Sequence, residues 1–513
     1  VQNHLHDSKL EKSLLQLLPT EFMQYMFTYL DIMESSMLRV TCTDLCVLCQ
    51  EKTIEYDQRL WNPARVSAIE IFRCWPRVSK VVISPNSVSI LKYMSRECPA
   101  LKTLQLYGIH SFYCLGIPRY VLECLKQGYD ALSSLSLQDC EYVTDVCVKY
   151  IVEGCSQLNH VDVKNTKISD IGLRDLMKKL KNLTKFEAGS YQGCVRTYMW
   201  VDLKCEKLID FHLVLYRQLL LRQQSLFTYI SNAAFCQNLQ HLTVTAYAAD
   251  RSVGSIFLEP LNLFIKRTPN LRSLILNGDT SQLQTLSAHQ ETTLSSNQLC
   301  HVSEYSVKVF ADTFPHDFTS VFPTFLHPHS IVIFHLKLET DILQQRSAPL
   351  KTILNKTLPQ VPNLQEFCLW IDPKIRKPFD DWKFEKFNQC PKLSSFKLSF
   401  PEMTDRLIRK LCQTKFANSL ENLDLTGCTK LTDYTLHCIG QRCLKLKSLN
   451  IGNLKKISPN GLNNLAKLPL RTITVPMPMG QRPRDDSTEL NCGCLWSYMR
   501  SMGVSREDLH DYK

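Results

Sequence analysis

The chain has 513 residues, of which 44% are hydrophobic and 21% charged, with a formal net charge of +11; that composition is too apolar for a disordered chain and ample for a large core. The basic residues are spread along the sequence with no Lys/Arg block, zinc-finger pattern or RNA-binding signature. They read as a solvated surface, with no nucleic acid among the expected partners.

No segment approaches the roughly 18 consecutive apolar residues of a membrane helix; even 211–221 holds His212, Arg217 and Gln218. The first apolar run, 14–18, is broken by Gln16 and ended by Pro19, which is not the pattern of a secretory signal. A chain with no membrane partner, cytoplasmic, nuclear or both, is therefore expected. The 22 cysteines favour the same reducing setting, because many recur at one place in the repeat described below, where a small apolar thiol suits a buried slot.

From Leu17 the sequence runs Leu-Leu-Pro-Thr-Glu-Phe-Met-Gln-Tyr-Met-Phe-Thr-Tyr-Leu-Asp. Pro19 suits a first helical turn and Glu21 a positive helix N-terminus, while Phe22, Met26, Phe27 and Leu30 share one helical face. Ser-Ser-Met-Leu-Arg-Val at 35–40 and Thr-Cys-Thr-Asp-Leu-Cys-Val-Leu at 41–48 predict two further helices, followed by Leu60-Trp61. This order of features resembles the F-box family, although Leu45 stands where the family usually has Trp and Thr43 where it often has Lys or Arg. The resemblance implies a three-helix domain over 14–61 that binds a Skp-type adaptor, and through it cullin and RING subunits. It implies that Leu18, Pro19, Phe22, Met26, Phe27, Leu30, Leu38 and Val40 form the docking surface or the small core beneath it. Residues 62–77 then read as a linker.

From 78 to 475 a Leu-x-x-Leu-x-Leu fragment returns. Its clearest copies start at Leu132, Leu158, Leu239, Leu271, Leu364, Leu393, Leu420 and Leu446, and weaker ones at Val78, Leu101, Leu183, Leu208, Val302, Ile333 and Leu470. The fifteen starts lie 23 to 32 residues apart, near the leucine-rich-repeat period. Two copies carry Cys140 and Cys428 followed by Val-Thr-Asp or Leu-Thr-Asp, with Cys155 and Cys443 fifteen residues on. They resemble the cysteine-containing leucine-rich repeats that commonly accompany an F-box. The alternation predicts a strand, and segments such as 148–151 and 436–439 a return helix capped by Thr144 or Thr432.

The expected fold class is thus α/β, an N-terminal three-helix F-box followed by a curved leucine-rich-repeat solenoid with a concave parallel sheet and outer helices. The interval 280–330 fits the period poorly and reads as one or more long loops, and 476–513 as a tail or cap.

Residues flanking the inward leucines should line the concave face: Tyr107, Gln138, His160, Asp162, Lys164, Lys185, Glu187, His241, Asn277, Glu366, Trp370, Lys397, Asp424 and Asn450. A target protein of unknown identity is expected there, centred on the repeats from Val302 to Leu420 with Trp370 as an aromatic anchor.

No nucleophile elbow, zincin motif, Walker loop or dinucleotide fingerprint occurs, so no catalytic residue and no cofactor is expected. Cys300, His301, His316, His327 and His329 match no standard zinc spacing. Cys46-x-x-Cys49 lies on a predicted helix and Cys492-Gly-Cys494 lacks further ligands, so neither reads as a redox or metal site. The function expected is the substrate-recognition subunit of a Skp–cullin–F-box ubiquitin ligase. The alternative is a non-catalytic repeat scaffold acting outside a ligase.

Overall fold

The computed structural model describes residues 54–57, 77–83, 88–106, 124–127, 129–140, 143–190, 205–216, 234–247, 264–265, 267–278, 302–310, 327–339, 354, 357–372, 384–452, 454, 456–476 and 487–491. It divides into two compact units, Val1–Leu208 and Ile209–Lys513. The adaptor-docking residues expected from Leu18 to Val40, and Tyr107, lie outside the described residues.

In the first unit six strands pair in chain order, each pair parallel: β1 (Ile54–Asp57), β2 (Val78–Ile83), β3 (Thr103–Leu106), β4 (Ser134–Ser136), β5 (His160–Thr166) and β6 (Lys185–Ser190). β1 corrects the sequence reading, which placed 54–57 inside the three-helix module. The alternation Ile-Glu-Tyr-Asp has the period of a strand and no helical stripe, and it pairs with β2 across the supposed linker.

The leucine phase sets what is buried. Leu132, Leu135 and Leu137 fill the core beside Leu158, Val161 and Val163, and the return helices Asp145–Gly154 and Asp170–Lys179 close it with Val148, Ile151, Leu173 and Leu176. Strands β4, β5 and β6 begin the same way, with one carbonyl of the previous repeat accepting two successive N–H groups. The Lys102 carbonyl takes Ser133 and Ser134, both at 2.9 Å, and the Asn159 carbonyl takes Thr184 and Lys185 at 2.8 and 2.9 Å.

In the second unit ten parallel strands follow: β7 (Asp210–Tyr216), β8 (His241–Tyr247), β9 (Ser273–Gly278), β10 (Glu304–Phe310), β11 (Ile333–Glu339), β12 (Glu366–Ile371), β13 (Ser395–Ser399), β14 (Asn422–Asp424), β15 (Ser448–Asn450) and β16 (Thr472–Pro476). β17 (Ser487–Asn491), from the stretch read as a tail or cap, adds to β16 antiparallel. Within the interval read as long loops, β10 pairs with both β9 and β11; 280–301 and 311–326 lie outside the described residues.

The repeat expected to start at Ile333 starts two residues earlier. Ile331, Phe334 and Leu336 are buried, while Ile333 is only half-buried and leaves the sheet on the other side. The core of this unit is aromatic where the helices are short: Tyr305, Phe334, Phe367 and Phe396 stand in register on β10 to β13, with ring centroids 5.7 to 5.9 Å apart. The longer helices Asp405–Cys412 and Asp433–Arg442 take over towards the C-terminal repeats.

The cysteine slots are thiols inside the stack. Cys140 donates to the Leu106 carbonyl (3.4 Å) and Cys428 to the Leu398 carbonyl (3.3 Å), each one repeat back. Cys155 and Cys443 close the helices through their N–H groups, at 3.0 and 2.9 Å from the Ile151 and Ile439 carbonyls. Burial pushes the thiols of Cys140, Cys155 and Cys428 up to about 12, so almost none is thiolate at neutral pH. Iodoacetate should leave Cys140, Cys155, Cys428 and Cys443 unmodified in the native protein and label all four after denaturation. Rapid native labelling, or a disulfide among them by mass, would contradict the stacking.

Of the two expected helix caps, Thr432 accepts from Tyr434 N–H at 3.3 Å. Thr144 occupies the same position without a side-chain cap and instead forms an isolated parallel bridge with Lys167.

Candidate interaction surface

Side chains alternate along a strand, so the residues flanking the buried positions all leave the sheet opposite the return helices. Strands sit about 4.8 Å apart and packed helices 8–10 Å apart. Stacking the two therefore makes the strand side the inner face of each unit.

On the first unit this face carries a closed polar network. The Ser134 hydroxyl lies 2.9 Å from His160 Nδ1 and His160 Nε2 3.2 Å from Glu187 Oε1; a neutral imidazole with its proton on Nε2 satisfies both. Glu187 also pairs with Lys164 and, at 3.0 Å, with Lys185, while Asp162 accepts from Ser136 at 3.2 Å. Asp162 and Glu187, expected on display, retain only 5% and 8% of their exposure. Burial raises the Asp162 carboxyl, with Glu187 adding to it and Lys164 opposing. This cluster is internally satisfied and offers little to a partner. Gln138 likewise spends its amide on Asp139, at 3.1 Å.

Three of the expected residues share a structural task. The side chains of Asp162, Asp424 and Asn450 each accept the N–H two residues on, from Lys164 (3.1 Å), Thr426 (2.8 Å) and Gly452 (3.0 Å). At Asp424 and Asn450, the last residues of β14 and β15, such Asx turns close the strand; at Asp162 the turn lies within β5, where the pairing with β4 ends. Asn450 further donates to Asp424 at 3.2 Å.

The second unit's face is more open. Asn277 reaches Thr245 at 3.5 Å, the hydroxyl that His212 also contacts at 3.0 Å, and His241 is exposed. Further along, the register places Ser306, His335, Cys368, Lys397, Asp424, Asn450 and Thr474 in one row across β10 to β16. A second row brings Lys337, Trp370 and Ser399 together on β11 to β13.

Glu366 sits 2.8 Å from Lys397 and 3.5 Å from His335. Burial alone would raise its carboxyl, but the hydrogen bond and charge of Lys397, with His335, outweigh that and hold it below the usual range. The same hydrogen bond raises Lys397. Trp370, expected as a bare anchor, is half-buried with the Lys337 ammonium 4.4 Å from its ring centroid. That cation–π contact fixes the indole in place. Cys368 is half-buried here, unlike the other described cysteines, and burial pushes its thiol up to about 11.

His335, Lys337 and Cys368 went unnoticed in the sequence. The two-residue error at Ile333 hid the first two; Phe334 and Leu336, three and five residues after Ile331, were the available signal. Cys368 was legible from its place between Phe367 and Leu369.

Among the described residues no helix is long and apolar enough to cross a membrane, and no three His, Cys, Asp or Glu side chains are grouped to hold a metal ion.

No family model and no curated protein matches the chain. Similar solved structures include the Rad7–Elc1 complex of yeast, at 15% identity and a TM-score of 0.35, covering 91% of this chain and 90% of that one. The TLR13–ssRNA13 complex matches at 14% identity and a TM-score of 0.32, covering 78% of this chain and 72% of that one. Neither likeness is close enough to say anything of this chain's partners.

Proposed function

We propose that the chain is a non-catalytic substrate-recognition subunit of a Skp–cullin–F-box ubiquitin ligase. The segment 14–61 docks on the adaptor and the repeats hold the target, so that ubiquitin transfer becomes effectively intramolecular. The observation that carries the target half is the open strand face over β11 to β15, with its ordered Trp370–Lys337 contact and Glu366–Lys397 pair. A pre-ordered aromatic beside hydrogen-bonding groups is the composition of an interface anchor. The adaptor half is supported by the Leu-Pro-x-Glu opening and the apolar stripe that follows, which a module of that size cannot bury alone.

Affinity purification from proteasome-inhibited cells tests the target half. Trp370→Ala with Glu366→Ala should lower the recovery of ubiquitinated target by about tenfold or more and leave the recovered adaptor unchanged. Equal recovery from that variant, with loss from a His160→Ala, Asp162→Ala, Lys164→Ala variant, would move the site to the first unit.

A further inference from the structure

The lysines and arginines that look scattered in the sequence are gathered by the repeat. In the connections leading into β13, β14, β15 and β16 (388–394, 413–421, 443–447 and 466–471), six cations occur: Lys392, Lys415, Lys445, Lys447, Lys467 and Arg471. The same connections hold one carboxylate, Glu421. These segments lie side by side, because the N–H of Glu421 donates to the Ser394 carbonyl (2.8 Å), that of Lys447 to Glu421 (2.7 Å) and that of Arg471 to Lys447 (2.7 Å). Residues about 25 apart in sequence thus become neighbours at strand spacing, across roughly 15 Å.

Glu421 is already paired with Lys447 at 2.8 Å, and that hydrogen bond, with the charges of Lys447, Lys445 and Arg471 behind it, holds its carboxyl down. The row keeps a surplus of five positive charges in a chain whose net charge is +11. Beside it stands Leu444, 60% exposed and the most exposed of the large hydrophobic side chains described.

We infer that this strand-start edge of the C-terminal repeats is a docking surface for an acidic peptide segment of a protein partner, with an apolar side chain of that segment resting on Leu444. Charges this close act together within one or two Debye lengths. The exposed residues of the four connections include no aromatic ring on which a base could stack, which favours a peptide over a nucleic acid. The surface is distinct from the strand face around Trp370, and the inference does not depend on the ligase reading.

Fluorescence anisotropy with the full chain and a labelled Glu-rich peptide carrying one central Leu tests it. Lys445→Glu, Lys447→Glu and Arg471→Glu together should weaken binding at least about thirtyfold at low salt, and Leu444→Ser about threefold to tenfold. The same three charges reversed at Lys178, Lys179 and Lys181, exposed in the first unit, should leave affinity within about threefold. Should the Glu variant lose its thermal transition, Gln at the same positions is read in its place. The inference is overturned if the control reversal weakens binding equally, since the attraction is then only net charge. It is also overturned if oligothymidylate binds as tightly as the peptide and is lost with the same substitutions, which would make the partner a nucleic acid.

Discussion

Replacing Phe367 with Ala is expected to cost the second unit about 3–5 kcal/mol, the range for truncating a fully buried aromatic. Its ring is completely buried and lies 5.7 Å from Phe334, 5.7 Å from Phe396 and 5.1 Å from Phe387. Phe387 and Phe396 in turn pack on Phe416 at 5.4 and 5.8 Å. Each repeat buries its face only against its neighbours, so a cavity here separates the strands on both sides at once. Phe367→Leu fills part of the space and should cost less than half as much. The measurement is the denaturant midpoint of the second unit's unfolding transition. A shift for Phe367→Ala no larger than that of an exposed control such as Gln365→Ala would show that the aromatic row does not hold the stack.

Asp405→Ala is expected to cost about 3 kcal/mol through a different mechanism, the stranding of buried donors. Asp405 Oδ1 accepts from Thr432 N–H at 2.9 Å and from Thr435 Oγ1 at 2.6 Å, and Oδ2 from Thr432 Oγ1 at 2.7 Å. The acid that opens one helix thus caps the next. The device recurs where Asp145 holds Ser169 at 2.7 and 2.5 Å, and where Asp433 holds Ser458 at 2.7 and 2.6 Å. In those two cases the position matching Thr435 is Gly172 or Gly461, where a Cβ would come within 2.4 or 2.2 Å of the carboxylate. Thr435→Ala removes one of three bonds and should cost about 1 kcal/mol. Equal midpoints for Asp405→Ala and Thr435→Ala would mean that the carboxylate does not join the repeats.

The leucine phase was legible because burial on one side of a strand demands period two, and fourteen of the fifteen starts need no correction. Ile331 was misplaced because Ile331-Val-Ile333 offers two β-branched starts, and only packing selects the one in line with Phe334 and Leu336. The strand at Ile54–Asp57 was missed because four residues carry too little pattern to compete with a helical module expected around them.

The strand-face residues were placed on the right side by alternation, but alternation is blind to neighbours. It could not show that Glu187 is consumed by His160, Lys164 and Lys185, nor that Asp424 and Asn450 close their strands. The basic edge was hidden for the same reason: contiguity in sequence is not contiguity across repeats.

The most direct test of the account is the adaptor contact. Purified chain and purified Skp-type adaptor are mixed and their binding is measured by calorimetry, for the native sequence and for Leu18→Ala with Pro19→Ala. The account predicts a one-to-one complex with the native chain and no measurable complex with the double variant, whose repeats keep the native unfolding transition. Wild-type binding by the double variant, or no binding by the native chain, would contradict it.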